Sequence, residues 1–102
     1  MSKKVLVVDD SESIRDVVSY TLKNEGYDVT TAEDGDKALA KIKKDKFRLV
    51  VTDLYMPNMD GLELIREIRK LDNYQGVPIL FLTTESQLGK KKEAKEAGAT
   101  GW

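Results

Sequence analysis

Hydrophobic and polar positions divide this chain into short apolar runs that alternate with longer amphipathic stretches. Residues 5–8, 49–51 and 79–82 are apolar throughout, which is typical of strands covered on both faces of a sheet. Residues 27–32 alternate more weakly and predict one more strand. Strands that alternate with helical patterns predict an α/β fold with a parallel sheet and right-handed crossovers.

The amphipathic stretches predict four helices, because their apolar residues recur at spacings of three and four. We expect Asp10 or Ser11 to cap the first helix, Gly26 to end it, and Gly98 to end the fourth. The four stripes are Ile14, Val17, Val18, Thr21 and Leu22; Ala38, Leu39 and Ile42; Leu62, Leu64, Ile65, Ile68 and Leu71; and, within residues 86–97, Leu88, Ala94 and Ala97. Residues 101–102 look like the start of a further strand.

Composition narrows the possible chemistry. Lys and Arg number 17 and Asp and Glu number 18, so no bulk charge indicates a nucleic-acid partner. The chain has no Cys and no His, which excludes disulfides, thiolate metal sites and a histidine general base. The apolar run after Lys3 and Lys4 is too short for a signal peptide or a membrane span. We therefore expect a cytoplasmic protein without a membrane partner.

Three of the four predicted strands end in side chains that can do chemistry. The first ends at Asp9 and Asp10, the third at Asp53 and the fourth at Thr83. In a parallel sheet these ends lie along one edge, where ligands bind in open α/β folds. Clustered acids raise one another's pKa, so we expect a hard cation with oxygen ligands, and Mg²⁺ suits a site without His or Cys. A carboxylate beside Mg²⁺ suits phosphoryl transfer through an aspartyl phosphate.

These segments resemble the receiver domains of two-component response regulators. The resemblance rests on Val7-Val8-Asp9-Asp10, on Asp53 followed by Met56-Pro57-Asn58-Met59-Asp60-Gly61, and on Leu82-Thr83-Thr84. Residues 83–86 and 97–102 look most similar to single-domain chemotaxis regulators of the CheY type. The resemblance implies that residues 1–102 are one receiver domain. It also implies a flavodoxin-like, doubly wound parallel sheet of order 2-1-3-4, the first four strands of the family order 2-1-3-4-5.

The same resemblance implies individual roles for the residues of the site. Asp53 matches the phosphoacceptor, Asp9 and Asp10 match the acids that bind Mg²⁺ together with Asp53, Tyr55 matches the backbone carbonyl ligand, Thr83 matches the switch hydroxyl, and Trp102 matches the switch aromatic. Such a domain accepts a phosphoryl group from a sensor histidine kinase and is not a classical enzyme. Its output target is expected to be a protein, and the chemotaxis resemblance points to a flagellar motor switch.

Several residues also have simpler structural interpretations. Asp9 and Asp10 could be a helix cap and a surface acid, Thr83 an ordinary strand-end hydroxyl, and Trp102 a core aromatic. Met56 and Met59 are interpreted as loop packing, since thioethers do not suit Mg²⁺. The lysines at 90–92 and 95 are interpreted as a solvated helix face.

Two other functions remain open at this stage. An aspartyl-phosphate phosphohydrolase usually shows Asp-x-Asp-x-Thr after its first strand, whereas this chain has Asp9-Asp10-Ser11-Glu12-Ser13. A silent interaction module or an engineered fragment would keep the fold without accepting a phosphoryl group.

The chain departs from the family pattern near its last residue. Receiver domains carry a Lys-Pro pair on a fifth strand and then a fifth helix, and both lie beyond the position of Trp102. We therefore expect a truncated domain, in which residues 79–82 form an exposed apolar edge. Such an edge is expected to favour homo-oligomers or the exchange of elements between chains.

Overall fold

A computed structural model describes residues 3–54, 56, 59–82 and 91–101 of the chain. Strands and helices alternate along it, as predicted from the sequence. The strands are β1 (Lys4–Val8), β2 (Asp28–Ala32), β3 (Leu49–Asp53) and β4 (Ile79–Leu82); the helices are α1 (Glu12–Asn24), α2 (Gly35–Lys44), α3 (Gly61–Arg69) and α4 (Lys91–Ala97), with a 3₁₀ turn at Asp72–Tyr74.

The four strands form one parallel sheet in the order β2-β1-β3-β4. This order confirms the strand arrangement that the family resemblance implied. Val8 pairs in register with Ala32 on one side and with Thr52 on the other, so β1 and β3 end side by side. Polar groups that follow these two strands are therefore brought to the same edge of the sheet.

Alternate residues of each strand point to opposite faces of the sheet. One face, here called the broad face, carries Leu6, Val8, Val50, Ile79 and Phe81 and packs against α2, α3 and α4. The opposite face, here called the narrow face, carries Val5, Val7 and Val51 and packs against Val18 and Leu22 of α1. Most of the buried apolar side chains belong to the broad face, so it forms the main core.

The predicted stripe of α1 is only partly correct. Val18 and Leu22 contact the narrow face, but Ile14 and Val17 are 42% and 64% exposed. Spacings of three and four identify a helical stripe but leave open which side of it meets the sheet. Among the described residues α1 is the helix that packs on the narrow face, and nothing there covers Ile14 and Val17.

Side chains cap three of the helices at their first turns. Ser11, Asp34 and Asp60 accept hydrogen bonds from the backbone N–H groups of Ile14, Lys37 and Glu63, respectively. Ser11 was one of the two predicted caps of α1. Gly98 follows the last residue of α4 and has a φ of +116°, which confirms its predicted role as the residue that ends this helix.

Residues 99–101 run alongside β4. Of the further strand predicted to start at residues 101–102, Gly101 pairs with β4, and Trp102 lies outside the described residues. The backbone N–H of Thr100 donates to the carbonyl of Ile79, and that of Phe81 donates to the carbonyl of Gly101. Leu80 and Gly101 form a parallel bridge. The expectation of an edge exposed along the whole of β4 is therefore wrong at Ile79 and Phe81, whose polar backbone groups on that side are paired.

Arg69 fastens this segment to the end of α3. Its guanidinium donates to the carbonyls of Gly98, Tyr74 and Val77 over distances of 2.7 to 2.9 Å. Burial lowers the pKa of Arg69. Three main-chain carbonyls from two segments therefore share one cation, which holds residues 98–100 against the broad-face helices.

Within the described ranges, no helix is both long and apolar enough to cross a bilayer.

Candidate functional site

Three carboxylates meet at the edge where β1 and β3 end. Asp9 and Asp10 directly follow β1, and Asp53 is the last residue of β3. One carboxylate oxygen from each of the three side chains lies within 4.8 Å of the others. The structure thus brings together the three acids that the sequence predicted to converge.

Asp9 is the buried member of the three, with 4% of its surface exposed. The N–H of Ser11 donates to its Oδ1 over 2.8 Å, which fixes the carboxylate at the start of α1. Burial raises the pKa of Asp9, the Ser11 hydrogen bond opposes this shift, and the charges of Asp53 and Asp10 add to it. Such a group favours a compensating positive charge beside it.

Arg15 supports the Asp9 backbone from α1. Its Nη1 donates to the Asp9 carbonyl over 2.6 Å, while the Asp9 N–H donates to the carbonyl of Ala32 over 3.1 Å. Arg15 was not among the site residues predicted from the sequence. The available signal was its position one helical turn after the Ser11 cap, which directs a long cationic side chain back toward the acids.

Asp53 is half-buried and is held by the backbone that follows it. The N–H of Leu54 donates to Asp53 Oδ1 over 2.7 Å, and Thr52 Oγ1 donates to the Asp53 carbonyl over 2.9 Å. Asp10, in contrast, is exposed. The three acids therefore present one buried, one half-buried and one exposed carboxylate to the same space.

Gly61 allows α3 to begin directly against the end of β3. Its N–H donates to the carbonyl of Leu54 over 2.7 Å. A Cβ at position 61 would lie 2.2 Å from the carbonyl oxygen of Asp53 and 2.9 Å from the Cα of Leu54. Gly61 was predicted to be a loop residue, but its physical role is this close approach of two backbones.

Met56 and Met59 pack against the broad-face core. This confirms their interpretation as loop packing. Met59 also lies against Gly35, where a Cβ would come within 2.6 Å of the Met59 carbonyl oxygen. Met59 therefore contacts both the broad-face core and the start of α2.

Three predicted site residues lie outside the described part of the chain. They are Tyr55, Thr83 and Trp102. Their predicted roles remain predictions.

The donor set of the described site fits Mg²⁺. Its three carboxylates are close enough to share one ion. Carboxylate oxygens are the ligands that Mg²⁺ and Ca²⁺ prefer, and Mg²⁺ is held by few protein ligands with water completing its shell. Burial and the charges of Asp53 and Asp10 raise the pKa of Asp9, and a cation at this position would favour its ionised form.

The fold and the acidic edge define a doubly wound α/β domain with a cluster of three carboxylates at the carboxyl end of its sheet. Residues 5–102 match the family described as the response regulator receiver domain. The chain belongs to this family. It is thus a receiver domain of a two-component response regulator, as the sequence motifs predicted.

Relatives of this chain serve different outputs. It is 50% identical to the chemotaxis response regulator CheY4 of Vibrio cholerae, over 100% of this chain and 85% of that chain, with a TM-score of 0.94. It is 42% identical over 99 residues to the alkaline phosphatase synthesis transcriptional regulatory protein PhoP of Bacillus subtilis. That match covers 97% of this chain but only 40% of PhoP, so the chain spans less than half of that relative.

A third relative holds a metal. The receiver domain of the sensor histidine kinase PA1611 from Pseudomonas aeruginosa has a magnesium ion coordinated in its active-site cleft. This chain is 29% identical to it over 99% of this chain and 83% of that chain, with a TM-score of 0.89.

Proposed function

We propose that this receiver domain accepts a phosphoryl group on Asp53 in a Mg²⁺-dependent reaction and thereby acts as a signalling switch. The observation that carries the proposal is the approach of the Asp9, Asp10 and Asp53 carboxylates to within 4.8 Å of one another. The magnesium ion in the PA1611 receiver domain supports the choice of metal.

Asp53 is the acid best placed to act as the nucleophile. One of its oxygens accepts a hydrogen bond from the N–H of Leu54, which orients the carboxylate at the strand end. In the proposed step the donor is a phosphorylated histidine of the sensor kinase. A carboxylate oxygen of Asp53 forms a bond to phosphorus while the bond from phosphorus to the histidine nitrogen breaks. The leaving imidazole keeps the electron pair of that bond and takes up a proton from solvent.

Asp9 and Asp10 would hold the metal together with Asp53 and the backbone carbonyl of Tyr55. When bound, Mg²⁺ supplies positive charge that offsets the negative charge of the acids and of the phosphoryl oxygens. Arg15 and the Ser11 N–H keep the Asp9 segment in position for this role. The oxygen-only donor set is the chemical reason to prefer Mg²⁺.

The switch itself is proposed to involve Thr83 and Trp102. A phosphoryl group adds local negative charge and acceptor oxygens, which can favour one of two arrangements of a nearby segment. In this proposal the Thr83 hydroxyl turns toward the new group and Trp102 packs inward.

A sensor histidine kinase is the proposed donor and a protein is the proposed target. We propose chemotaxis as the output, with a flagellar motor switch as the target. The higher identity and near-complete coverage of CheY4 support this choice over the transcriptional output of PhoP.

Phosphorylation by a small donor tests the proposal. The chain is incubated with acetyl phosphate and Mg²⁺, and intact mass is followed over time for the wild type, Asp9→Asn, Asp10→Asn and the matched control Asp36→Asn. Loss of a metal ligand is expected to slow phosphoryl uptake at least about 100-fold, since metal charge stabilisation contributes several kcal/mol. Asp36 is exposed on α2, so its variant should react like the wild type.

Two results would contradict the proposal. Equal uptake with and without Mg²⁺ would remove the metal from the mechanism. Continuous release of phosphate from phosphomonoesters, without accumulation of a phosphorylated chain, would indicate a phosphohydrolase instead.

A further inference from the structure

A polar pocket lies beside the acidic site, at the carboxyl end of β2. It has a volume of about 230 Å³ and is lined by Arg15, Thr31, Ala32, Glu33, Lys37 and Lys41. Ligand pockets for drug-sized molecules are larger and mostly apolar. A small polar pocket of this kind suits a small hydrated ion or a compact polar group.

The charge of the pocket favours an anion. Arg15, Lys37 and Lys41 line it together with a single carboxylate, Glu33, so its lining carries a net charge of two positive units. Lys37 forms an ion pair with Glu33. Arg15 and Lys41 donate to the backbone carbonyls of Asp9 and Thr31. Because these carbonyls are uncharged, they do not cancel the positive charges of Arg15 and Lys41.

The cations come from separate elements that the fold holds around one space. Arg15 projects from α1, while Lys37 and Lys41 lie four residues apart on α2 and so share one side of that helix. β2 pairs with β1 on its inner side, and Lys41 contacts the Thr31 carbonyl on its outer side. The arrangement thus surrounds the end of an outer strand with cations from both flanking helices.

We propose that this pocket binds a phosphate oxyanion, either inorganic phosphate or the phosphate group of a small molecule. Phosphate carries between one and two negative charges near neutral pH, which are opposite in sign and similar in size to the net charge of the lining. Its tetrahedral oxygens can accept from two ammonium groups and a guanidinium at once, and such charge-assisted hydrogen bonds are the strong ones. The site is distinct from the acidic cluster, which repels anions in the absence of a metal.

Binding is tested by NMR titration of the ¹⁵N-labelled chain with inorganic phosphate and, separately, with glycerol 3-phosphate. The titrations use metal-free buffer at constant ionic strength, so that the acidic site does not take part. Saturable shifts are expected at Arg15, at residues 31–33 and at Lys37 and Lys41, with a dissociation constant on the order of 1 mM. Tighter binding of the inorganic ion identifies free phosphate as the ligand, and tighter binding of the ester identifies a phosphorylated small molecule.

Variants of opposite sign separate a site from general attraction. Lys41→Gln and Lys37→Gln should each weaken binding about two- to fivefold, the range of one exposed ion pair. Glu33→Gln should tighten it by a similar factor, because it releases Lys37 and removes the opposing charge. Lys43→Gln and Asp36→Asn make the same charge changes on α2 outside the pocket and should leave the affinity within about 1.5-fold of the wild type.

The proposal is overturned if neither probe gives saturable shifts at the pocket, or if the control variants change the affinity as much as their partners do. Circular dichroism of each variant confirms that the fold is kept. Asp53→Asn should bind phosphate like the wild type. The pocket and the proposed phosphoacceptor can therefore fail or succeed independently.

Discussion

The two faces of the sheet differ in how firmly they are covered. On the broad face, three helices pack over Leu6, Val8, Val50, Ile79 and Phe81. On the narrow face, α1 is the helix that packs over Val5, Val7 and Val51 in the described part of the chain. One sheet therefore has a thick, close-packed side and a thin side.

This difference reaches the acidic site, because each face supports different acids. Asp53 is held from the broad side, where α3 begins in direct contact with its backbone at Gly61. Asp9 is held from the narrow side, through Ser11 and Arg15 of the α1 segment. We expect the proposed nucleophile to be the rigid half of the site and the Asp9–Asp10 segment to be the more adaptable half.

The largest loss of stability is expected from a substitution at Gly61, where α3 packs directly against the end of β3. Gly61→Ala places a Cβ 2.2 Å from the Asp53 carbonyl oxygen, and both contacting groups are backbone, so α3 or β3 must shift. The free energy of unfolding should fall by about 3 kcal/mol, the upper part of the usual range for overpacking. Urea denaturation measures this decrease in the free energy of unfolding.

Gly76→Ala is the matched control. A Cβ at position 76 meets nothing within 4 Å, so this variant should stay close to the wild type. Equal stability of the two variants would show that α3 does not pack rigidly against the end of β3.

Two adjacent valines on β3 allow the packing of the two faces of the sheet to be compared directly. Val50 points to the broad face and Val51 to the narrow face, and both are buried. Val50→Ala should cost about 2–3 kcal/mol and Val51→Ala about 1–2 kcal/mol, because α1 alone can settle into the smaller cavity more easily. Thermal and urea unfolding of the pair measure the difference, and a larger cost at Val51 would reverse the comparison.

Asp9→Asn should stabilise the metal-free domain. Burial and the charges of Asp53 and Asp10 raise the pKa of Asp9, so its ionised form is unfavourable in the fold. The amide keeps an oxygen for the Ser11 N–H while removing the charge. We expect a gain on the order of 1 kcal/mol without metal.

Added Mg²⁺ should reverse this ranking. The wild type should gain stability on metal addition and the Asn variant should gain much less, since it lacks one ligand. Unfolding curves at several Mg²⁺ concentrations provide the readout. An equal gain in both proteins would show that Asp9 does not bind the metal.

The smallest effect is expected at an exposed ion pair between β1 and the segment after α2. Lys4 Nζ lies 2.7 Å from Asp45, and this contact, with the N–H of Lys46, lowers the pKa of Asp45 below its usual 3.8. The ionised carboxylate is favoured in the fold, so its contribution is present above pH 3.8 and is lost as pH falls through the lowered pKa.

Asp45→Asn should therefore lower stability slightly at neutral pH, and the difference from the wild type should vanish in strong acid. Urea unfolding at several pH values measures this, with Asp16→Asn on α1 as a control. A deficit that persists unchanged at low pH would mean that the side chain contributes through packing and not through its charge.

Much of the fold could be predicted because its signals are local. Apolar runs identified β1, β3 and β4, a weaker alternation identified β2, and residues such as Ser11 and Gly98 marked helix ends. Convergence of Asp9, Asp10 and Asp53 followed from parallel topology, in which distant strand ends share one edge.

The remaining features depend on contacts between distant segments. The partial burial of Val18 and the exposure of Val17 depend on how α1 rests on the sheet. The pairing of Thr100 with Ile79 and the contact of Arg15 with Asp9 are equally tertiary. The fit of Gly61 against Asp53 also becomes visible only once β3 and α3 are placed together.

The role of Asp53 as the phosphoacceptor is tested most directly by locating the phosphoryl group within the chain. After incubation with acetyl phosphate and Mg²⁺, borohydride reduction converts an aspartyl phosphate into homoserine, and tandem mass spectrometry of the peptides locates that residue. We expect homoserine at position 53 and none at positions 9 or 10, with no conversion in Asp53→Asn. Conversion at another acid, or none at all in a folded and metal-bound chain, would contradict the assignment of Asp53 as the phosphoacceptor.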